Sequence, residues 1–364
     1  MPRAVLLIVL SAKWLQVLRD TVLCVASLAI ASTLIGWGAP APYIECIDDK
    51  LDLLARRRAS INAVFIGSSR VHHNYVPQVF DDEMARRGVE ARSLNFGAPG
   101  MRLIETHYLL QRMSETGLRL DWVLVEIDDF STPVLNTNRD STRETYWHDL
   151  EHTSLALRSL VFESNAAASR GGTRVFLTNL GHAAGHLRAF VQRRLNIGAF
   201  PRAFDPSSER LTDTDAMCLG PGGDGFEPLP LKPGTGEVAA AHEASLAQRL
   251  DEFYARLDTT EPTLDDGARR YRIAMLRSIR QLAESMGATV IFVVSPLPVD
   301  HRATIELIRE ENLGQLFAFS DRKEYSTLVS ERMMFDWTHL NFVGAEAFSR
   351  ALAGRLAAAA GAGQ

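Results

Sequence analysis

The sequence has few cysteines and no excess of basic charge, and both absences exclude classes of protein. Three cysteines among 364 residues are too few for a disulfide framework. A formal net charge of −5 at pH 7 gives no basis for a nucleic-acid partner, because backbone phosphates demand a basic face. With 46% hydrophobic and 23% charged residues, the chain has the composition of a folded protein of one large or two small domains.

The N-terminal segment differs in composition from the rest. Residues 21–37, TVLCVASLAIASTLIGW, carry no charge and reach the low end of the length that crosses a bilayer core. The apolar run at residues 4–12 is too short to span alone, and we interpret it as an interfacial or partner-packed helix. Because Arg3, Lys13 and Arg19 precede the longer run, the positive-inside rule predicts a cytoplasmic N-terminus.

We therefore interpret residues 1–38 as a retained single-pass anchor in a bacterial cytoplasmic membrane, with the rest of the chain in the periplasm. A cleaved signal peptide remains an alternative, since small residues occur at 39–43, and so does a buried core helix. Outside the cytoplasm a disulfide is permissible, and Cys46 and Cys218 would both lie there. Nothing in the sequence shows that they pair.

After a linker at residues 39–60, short apolar runs alternate with helical patterns. The predicted strands are residues 62–67, 91–96, 121–127, 288–295 and 316–320. Amphipathic helices that end on glycine are predicted between them, at 101–117 and 271–287, and an alanine-rich helix is predicted at 343–359. This alternation predicts an α/β domain, residues 61–364, with a parallel sheet covered on both faces.

A long insert separates the third predicted strand from the fourth. It covers about residues 135–265 and has a largely helical pattern. Its middle, residues 213–236, is rich in glycine and proline and predicts a long loop. Loops of that length are often lids or binding surfaces.

The first candidate site follows the first predicted strand, at Gly67-Ser68-Ser69-Arg70. Open α/β sheets place their ligands at the carboxyl ends of the strands. The backbone N–H of Ser69, at the start of a helix, can face a developing oxyanion. The alternative is that the two serines only cap a helix.

The second candidate site, Asp336-Trp337-Thr338-His339, precedes the last predicted helix. A serine hydroxyl is a weak nucleophile until a base removes its proton, and histidine suits that task. A carboxylate three residues earlier can orient the imidazole and stabilise its cation. Short Asp-x-x-His pairs also occur by chance.

These segments together resemble the SGNH/GDSL hydrolase superfamily. VFIGSSR at residues 64–70 looks like its Gly-Asp-Ser block, with serine in place of the acid. NFGAPG at 95–100 looks like its second block, and DWTHLNFVG at 336–344 looks like its last block. The resemblance covers about residues 60–130 and 285–359, and it implies a three-layer, flavodoxin-like parallel sheet of the SGNH hydrolase type.

The resemblance also implies site residues. Ser69 would be the nucleophile, His339 its base and Asp336 the orienting acid. The N–H groups of Ser69 and Gly97 would bind the oxyanion. The family's third block, Gly-x-Asn-Asp, has an asparagine donor where this chain has Asp128, which can donate only when it is protonated.

The missing asparagine and the anchor resemble one subgroup of that superfamily. This is the membrane-anchored, extracytoplasmic acyltransferase-like group, which includes proteins of teichoic acid D-alanylation and alginate O-acetylation. It implies transfer of an acyl group, in the first place acetyl, to an exported polysaccharide beside a membrane-bound O-acyltransferase. An envelope esterase and a non-catalytic glycan-binding or assembly subunit remain the alternatives.

Two further residues are candidates for substrate binding. Arg70 could bind an anionic acyl donor or glycan, or could simply be solvated at the helix start. Asn95 begins the second block and is the other candidate.

Motifs for other kinds of active site or for a metal site are weaker in this sequence. Glu126, Asp128 and Asp129 could suggest a glycosidase pair, but no distant partner carboxylate motif stands out. His182 and His186 have the spacing of a zinc helix, without the glutamate of His-Glu-x-x-His. His72 and His73 are adjacent, so their side chains point apart. We therefore expect no metal and no other cofactor.

Overall fold

The computed structural model describes residues 3–38, 43–44, 46–128, 130, 141–162, 172–195, 218–232 and 236–361. The predictions for Asp129 and for both ends of the loop at 213–236 lie outside the described residues. The helices are α1 (Arg3–Gly38), α2 (Ile47–Arg56), α3 (Ser69–Asn74), α4 (Pro77–Arg86), α5 (Leu103–Glu115), α6 (Thr142–Tyr146), α7 (Leu150–Phe162), α8 (Gly172–Arg194), α9 (Gly236–Leu257), α10 (Asp266–Ser285), α11 (Arg302–Glu310) and α12 (Phe342–Gly361). The strands are β1 (Ala63–Gly67), β2 (Ser93–Gly97), β3 (Trp122–Glu126), β4 (Thr289–Val294) and β5 (Gln315–Ala318).

The five strands form one sheet in the order β2-β1-β3-β4-β5, and every neighbouring pair is parallel. The prediction of an α/β protein with a parallel sheet is confirmed. Each observed strand lies within two residues of its predicted bounds. Every residue of β1 and β2 is buried, as short continuous apolar runs predict for strands covered on both faces.

Side chains of alternating strand positions build the core. Phe65 of β1, Leu124 of β3 and Ile291 of β4 belong to one buried cluster with helical residues of α4 and α12. Phe65 meets Phe80 of α4 edge to face, with ring centroids 4.9 Å apart. Burial of each such side chain stabilises the fold by roughly 1.5–3 kcal/mol. The opposite alternation supplies Val64, Val123 and their neighbours, which are also buried.

The strand order places the carboxyl ends of β1 and β3 side by side. The chain leaves β1 for β2 on one side, and β3 pairs with β1 on the other side. Such a change of direction opens a crevice beyond the carboxyl ends of the two central strands. Ser69 follows β1 and Asp128 follows β3, so both candidate segments lie at this edge of the sheet.

One N-terminal helix, α1, is long and apolar enough to cross a membrane. The 23 residues Lys13–Ile35 have a mean hydropathy of 1.6. Residues 4–12 are helical, as predicted, but they belong to α1, which runs without a break from Arg3 to Gly38. Their position at a membrane interface or against a partner stays a prediction. No proline or glycine interrupts the chain between the two apolar runs, so nothing ends the first helix.

The predicted linker at 39–60 contains α2, whose apolar side packs into the protein. Ile47, Leu53 and Leu54 are buried. Cys46, directly before α2, forms a disulfide with Cys218. The sequence left this pairing open, and the bond ties the residue before α2 to the middle of the insert.

The chain divides into two compact units. One comprises residues 1–43, 134–153 and 184–211, and the other comprises residues 44–133, 154–183 and 212–364. The predicted insert therefore contributes to both units. All predicted catalytic, oxyanion and substrate-binding residues belong to the second unit.

We expect the disulfide to stabilise the second unit. Replacing Cys46 and Cys218 together by serine should lower the free energy of unfolding by about 2–4 kcal/mol, because the bond closes a loop of 172 residues. Urea unfolding of the purified full-length protein, followed by tryptophan fluorescence, measures the change. Cys24→Ser is the matched control, since that cysteine is free in α1. Equal stability of the double variant and the control would contradict the prediction.

Candidate active site

The structure brings the three predicted catalytic side chains together. His339 Nε2 lies 2.8 Å from Ser69 Oγ, across 270 residues of sequence. His339 Nδ1 lies 3.0 Å from each carboxylate oxygen of Asp336. This is the hydrogen-bonded order hydroxyl, imidazole, carboxylate that activates a serine.

Asp336 is held by a turn of its own segment. Its Oδ1 accepts hydrogen bonds from the N–H groups of Thr338, at 2.7 Å, and His339, at 2.9 Å. Burial alone would raise the pKa of Asp336, but the hydrogen bonds from His339 and Thr338 outweigh it and lower the pKa to about 2. The carboxylate is therefore ionised at neutral pH and suited to stabilise an imidazolium.

A buried asparagine joins the serine segment to the histidine segment. Asn74, the last residue of α3, accepts a hydrogen bond at its Oδ1 from the Leu340 N–H, at 2.9 Å. Asn341 donates to the Arg332 carbonyl at 2.7 Å and accepts from the Gly344 N–H at 3.0 Å. Both asparagines are almost fully buried. They fix the loop that carries His339, and our sequence analysis gave Asn74 no role.

Ser69 is the first residue of α3, and its N–H has no helical acceptor. Ser68 caps the helix, accepting from the Arg70 N–H at 3.2 Å. The Ser68 N–H in turn donates to Glu126 Oε2 at 2.7 Å. Among the described residues, none accepts a hydrogen bond from the Ser69 N–H. It is thus the oxyanion donor that the geometry supports.

Gly97 does not have the role that the resemblance implied. The Ala98 N–H points toward β1 and donates to Gly67 O at 3.0 Å, so the preceding N–H points to the opposite edge of β2. There Asn95 Oδ1 accepts the Gly97 N–H at 2.9 Å. This corrects the prediction that the Gly97 N–H binds an oxyanion. A glycine is needed here because a Cβ would lie 2.2 Å from the His72 backbone nitrogen.

Asn95 is also corrected, because its side chain faces the interior. It is fully buried, and its Nδ2 donates to the carbonyls of Val71 at 2.6 Å and Tyr75 at 2.7 Å. These carbonyls belong to α3 and to its C-terminal cap, so Asn95 stabilises the helix end rather than binding substrate.

Arg70 and Asp128 form an ion-pair cluster with Glu126. The guanidinium of Arg70 lies 2.9 Å from Asp128 and 3.3 Å from Glu126, and Arg102 approaches Asp128 at 3.5 Å. Burial raises the pKa of the Glu126 carboxyl. Burial alone would lower the pKa of Arg70, but the two carboxylates outweigh it and raise it.

This cluster corrects two predictions. Both oxygens of Asp128 accept from guanidinium groups, which can only donate, so Asp128 is not an oxyanion donor. Arg70 is neither solvated nor available to an anionic substrate, because its side chain is 16% exposed and its charge is matched inside the protein. Glu126 and Asp128, the carboxylates of the glycosidase alternative, are both engaged in these ion pairs.

Residues 218–232, here named the edge segment, cover the outer edge of β2 and reach the site. The carbonyl of Asp224 accepts from the Asn95 N–H at 2.9 Å. The Glu227 N–H donates to His72 O at 3.1 Å, and the carbonyl of Leu229 accepts from the Phe342 N–H at 2.9 Å. The edge segment thus touches both the helix that carries Ser69 and the helix that follows His339.

A buried lysine holds the edge segment in place. Lys50 Nζ donates to Gly97 O at 2.6 Å and to Gly225 O at 3.0 Å, and lies 3.2 Å from His72 Nδ1. His72 Nε2 lies 3.0 Å from a Glu227 carboxylate oxygen. Burial, followed by the charge of Lys50, lowers the pKa of His72 to about 3. His72 is therefore neutral at pH 7, and its Nδ1 lies 3.0 Å from the Gly225 carbonyl as well.

His73 lies directly beside the catalytic histidine. Its ring meets that of His339 edge to face, with centroids 5.4 Å apart. Its Nδ1 lies 2.8 Å from the Glu227 carbonyl, which accepts its N–H. Burial lowers the pKa of His73. The sequence predicted that the side chains of His72 and His73 point apart, whereas their ring centroids are 4.7 Å apart. It gave no sign of the lysine or of Glu227, which come from distant segments.

No protein-family model matches this chain, and no curated protein matches it either.

We expect the ion-pair cluster to be essential for stability. Arg70→Met should lower the free energy of unfolding by about 3–5 kcal/mol, because it leaves Glu126 buried without its cation and leaves Asp128 with Arg102, 3.5 Å away. Arg350→Met is the matched control. Its ion pair with Glu346, at 3.4 Å, lies on the surface and should cost less than about 1 kcal/mol. Urea unfolding at pH 7 measures both, and equal losses would contradict the prediction.

We also expect His72 to make stability depend on pH. Its pKa in the folded protein is lowered to about 3, whereas the unfolded value is near 6.5, so the unfolded chain binds the extra proton between these values. Stability should therefore fall as pH drops from about 6.5 toward 3, by up to about 1.4 kcal/mol per pH unit for this group. His72→Gln should reduce that slope, and His301→Gln should leave it unchanged. Unfolding curves from pH 7 to pH 4 measure it; equal slopes in wild type and His72→Gln would contradict the assignment.

Proposed function

We propose that the protein is a membrane-anchored SGNH-type serine acyltransferase or esterase, which acts on O-acyl groups of an exported or cell-envelope polysaccharide. The observation that carries this proposal is the 2.8 Å contact between His339 Nε2 and Ser69 Oγ, with Asp336 on the other ring nitrogen. Acetyl is the acyl group we propose first. The acceptor or acylated polysaccharide is the macromolecular substrate.

The chemistry follows from these contacts. Ser69 Oγ attacks the acyl carbonyl carbon while His339 Nε2 takes the hydroxyl proton, and Asp336 stabilises the resulting imidazolium. The Ser69 N–H stabilises the oxyanion. When the intermediate collapses, His339 gives the proton to the departing alcohol and leaves an acyl-serine. A sugar hydroxyl then attacks the acyl-serine in transfer, and water attacks it in hydrolysis.

Features outside the triad favour transfer over hydrolysis. The position of the family's asparagine donor is occupied by Asp128, whose oxygens accept from arginine, and loss of one donor typically slows acyl transfer a hundredfold or more. A slow acyl-enzyme must be protected from water. The edge segment, fixed beside His339 by Lys50 and Glu227, is suited to that role.

The fold supports the same class. The strand order 2-1-3-4-5 is that of flavodoxin-like sheets, whose ligands lie at the carboxyl ends of the strands. The pairs α4–α12 and α5–α10 are suited to cover the two faces in the three-layer arrangement of SGNH hydrolases.

The proposed location is the bacterial cytoplasmic membrane, with the N-terminus inside and the catalytic region in the periplasm. The apolar stretch Lys13–Ile35 supports one membrane span, and the bases before it support the orientation. The Cys46–Cys218 disulfide supports an oxidising compartment. A membrane-bound O-acyltransferase is the proposed partner and would supply the acyl group.

Two adjacent serines make a sharp test of the proposal. Ser69→Ala should abolish release of acetate from a chromogenic acetyl ester by the full-length protein in detergent. Ser68→Ala is the matched control, because it removes a helix cap, worth about 1 kcal/mol of stability, and a side-chain hydrogen bond to Glu126, but no triad atom, and should keep the activity. Asp336→Asn should lower kcat by several orders of magnitude.

The same variants separate the alternatives in cells. Loss of polysaccharide acetylation with Ser69→Ala, and not with Ser68→Ala, supports transfer. If Ser69→Ala leaves acetylation unchanged while deletion of the chain abolishes it, the catalytic proposal fails. The protein would then be a non-catalytic glycan-binding or assembly subunit of the membrane-bound O-acyltransferase.

A further inference from the structure

Three side chains that commonly bind metals meet in the interior of the first unit. They are Glu144 of α6, His148 just after that helix, and His186 of α8, and all three are buried. Their ligand atoms lie within 4.8 Å of one another. The sequence spacing of His182 and His186 did not reveal this cluster, because the partner seen here is His148, 38 residues earlier in the chain.

The contacts of His148 leave one ring nitrogen ready to bind a cation. Its Nδ1 donates to the Glu144 backbone carbonyl, so in the neutral ring Nε2 carries the lone pair. That Nε2 lies 2.8 Å from His186 Nδ1 and 3.9 Å from Glu144 Oε1. Metal-binding histidines commonly donate their second nitrogen to a carbonyl in this way.

A stacked aromatic ring orients His148. The indole of Trp147 lies on the imidazole, with centroids 3.7 Å apart. Because His148 Nε2 accepts the proton of His186 Nδ1 in the neutral pair, metal binding by His186 Nδ1 requires that proton to move to the other ring nitrogen.

We propose that Glu144, His148 and His186 form a binding site for a divalent transition metal of the zinc type. Two imidazole nitrogens and one carboxylate oxygen are a common ligand set for zinc, with a fourth position left for water or a further ligand. Metal–nitrogen bonds of about 2.0–2.1 Å place tetrahedral ligands roughly 3.3 Å apart. Two of the three observed separations, 2.8 Å and 3.9 Å, bracket that value, and all the ligand atoms lie within 4.8 Å of one another.

Charge near the site permits a cation. Arg193 is the neighbouring guanidinium, and it is engaged by the Tyr146 carbonyl and lies 4.0 Å from the Asp149 carboxylate. Asp149 also accepts from His152. The Glu144 carboxylate supplies the negative charge on the side of the two imidazoles. The competing explanation is a simple hydrogen bond between the two rings, with no metal.

Metal titration of the full-length protein in detergent tests the site. After removal of metals by a chelator, Zn²⁺ should bind with one-to-one stoichiometry and raise the melting temperature. Co²⁺ should give the visible absorption bands of a four-coordinate ion. His186→Ala should weaken Zn²⁺ binding by at least about a hundredfold. His301→Ala is the matched control for loss of one imidazole and should bind as the wild type does.

Two results would overturn the site. One is absence of Zn²⁺ and Co²⁺ binding by the wild type, which would leave a hydrogen-bonded histidine pair only. The other is binding that His186→Ala and Glu144→Gln leave unchanged. Glu144→Gln keeps the side-chain shape, so it tests the site even if the alanine variant fails to fold. Ser69→Ala should bind Zn²⁺ normally, because this inference does not rest on the proposed acyl chemistry.

Discussion

The hydrogen bond between Asn74 Oδ1 and the Leu340 N–H is the contact on which the candidate active site depends. Asn74 ends the short helix that Ser69 begins, and Leu340 directly follows His339. A six-residue helix cannot hold its own position, so its C-terminal end needs partners. Because the bond is buried, water cannot replace either group, and loss of the amide would leave an unsatisfied N–H in the core. This buried hydrogen bond therefore helps to set the distance from Ser69 to His339.

The outer edge of β2 is covered by the edge segment and a buried lysine rather than by another strand. An open strand edge offers unpaired N–H and C=O groups, which the edge segment covers irregularly. The carbonyls of Gly97 and Gly225 both accept hydrogen bonds from Lys50 at this edge. A buried ammonium is costly unless its protons find acceptors, and these two carbonyls serve as acceptors, with His72 Nδ1 3.2 Å away. The same lysine therefore links the edge of the sheet to the neighbourhood of the site.

Local patterns explain why the strands and the triad could be predicted from sequence. Short apolar runs bounded by turns identified β1 and β3, and the ends of parallel strands marked where Ser69 belongs. The direction in which a backbone N–H points could not be predicted in this way. A motif identifies Gly97 but not the edge toward which its N–H points, which depends on the alternation along β2. The ion pairs of Arg70 and the buried position of Lys50 could not be predicted for another reason, since burial depends on segments far away in sequence.

Asp128 stands where the resembled family has an asparagine donor, and this difference bears on which reaction the site favours. With one identified oxyanion donor, the barrier to attack on an acyl-serine stays high for any nucleophile. Water arrives without orientation, whereas a bound sugar hydroxyl is held near the carbonyl and gains the advantage of proximity. A weak oxyanion site therefore slows both reactions, and the proximity of a bound acceptor is what favours transfer. On the proposed chemistry, the ion pairs of Arg70 with Glu126 and Asp128 do more than stabilise β3, because they keep a carboxylate where a donor would accelerate reaction with water.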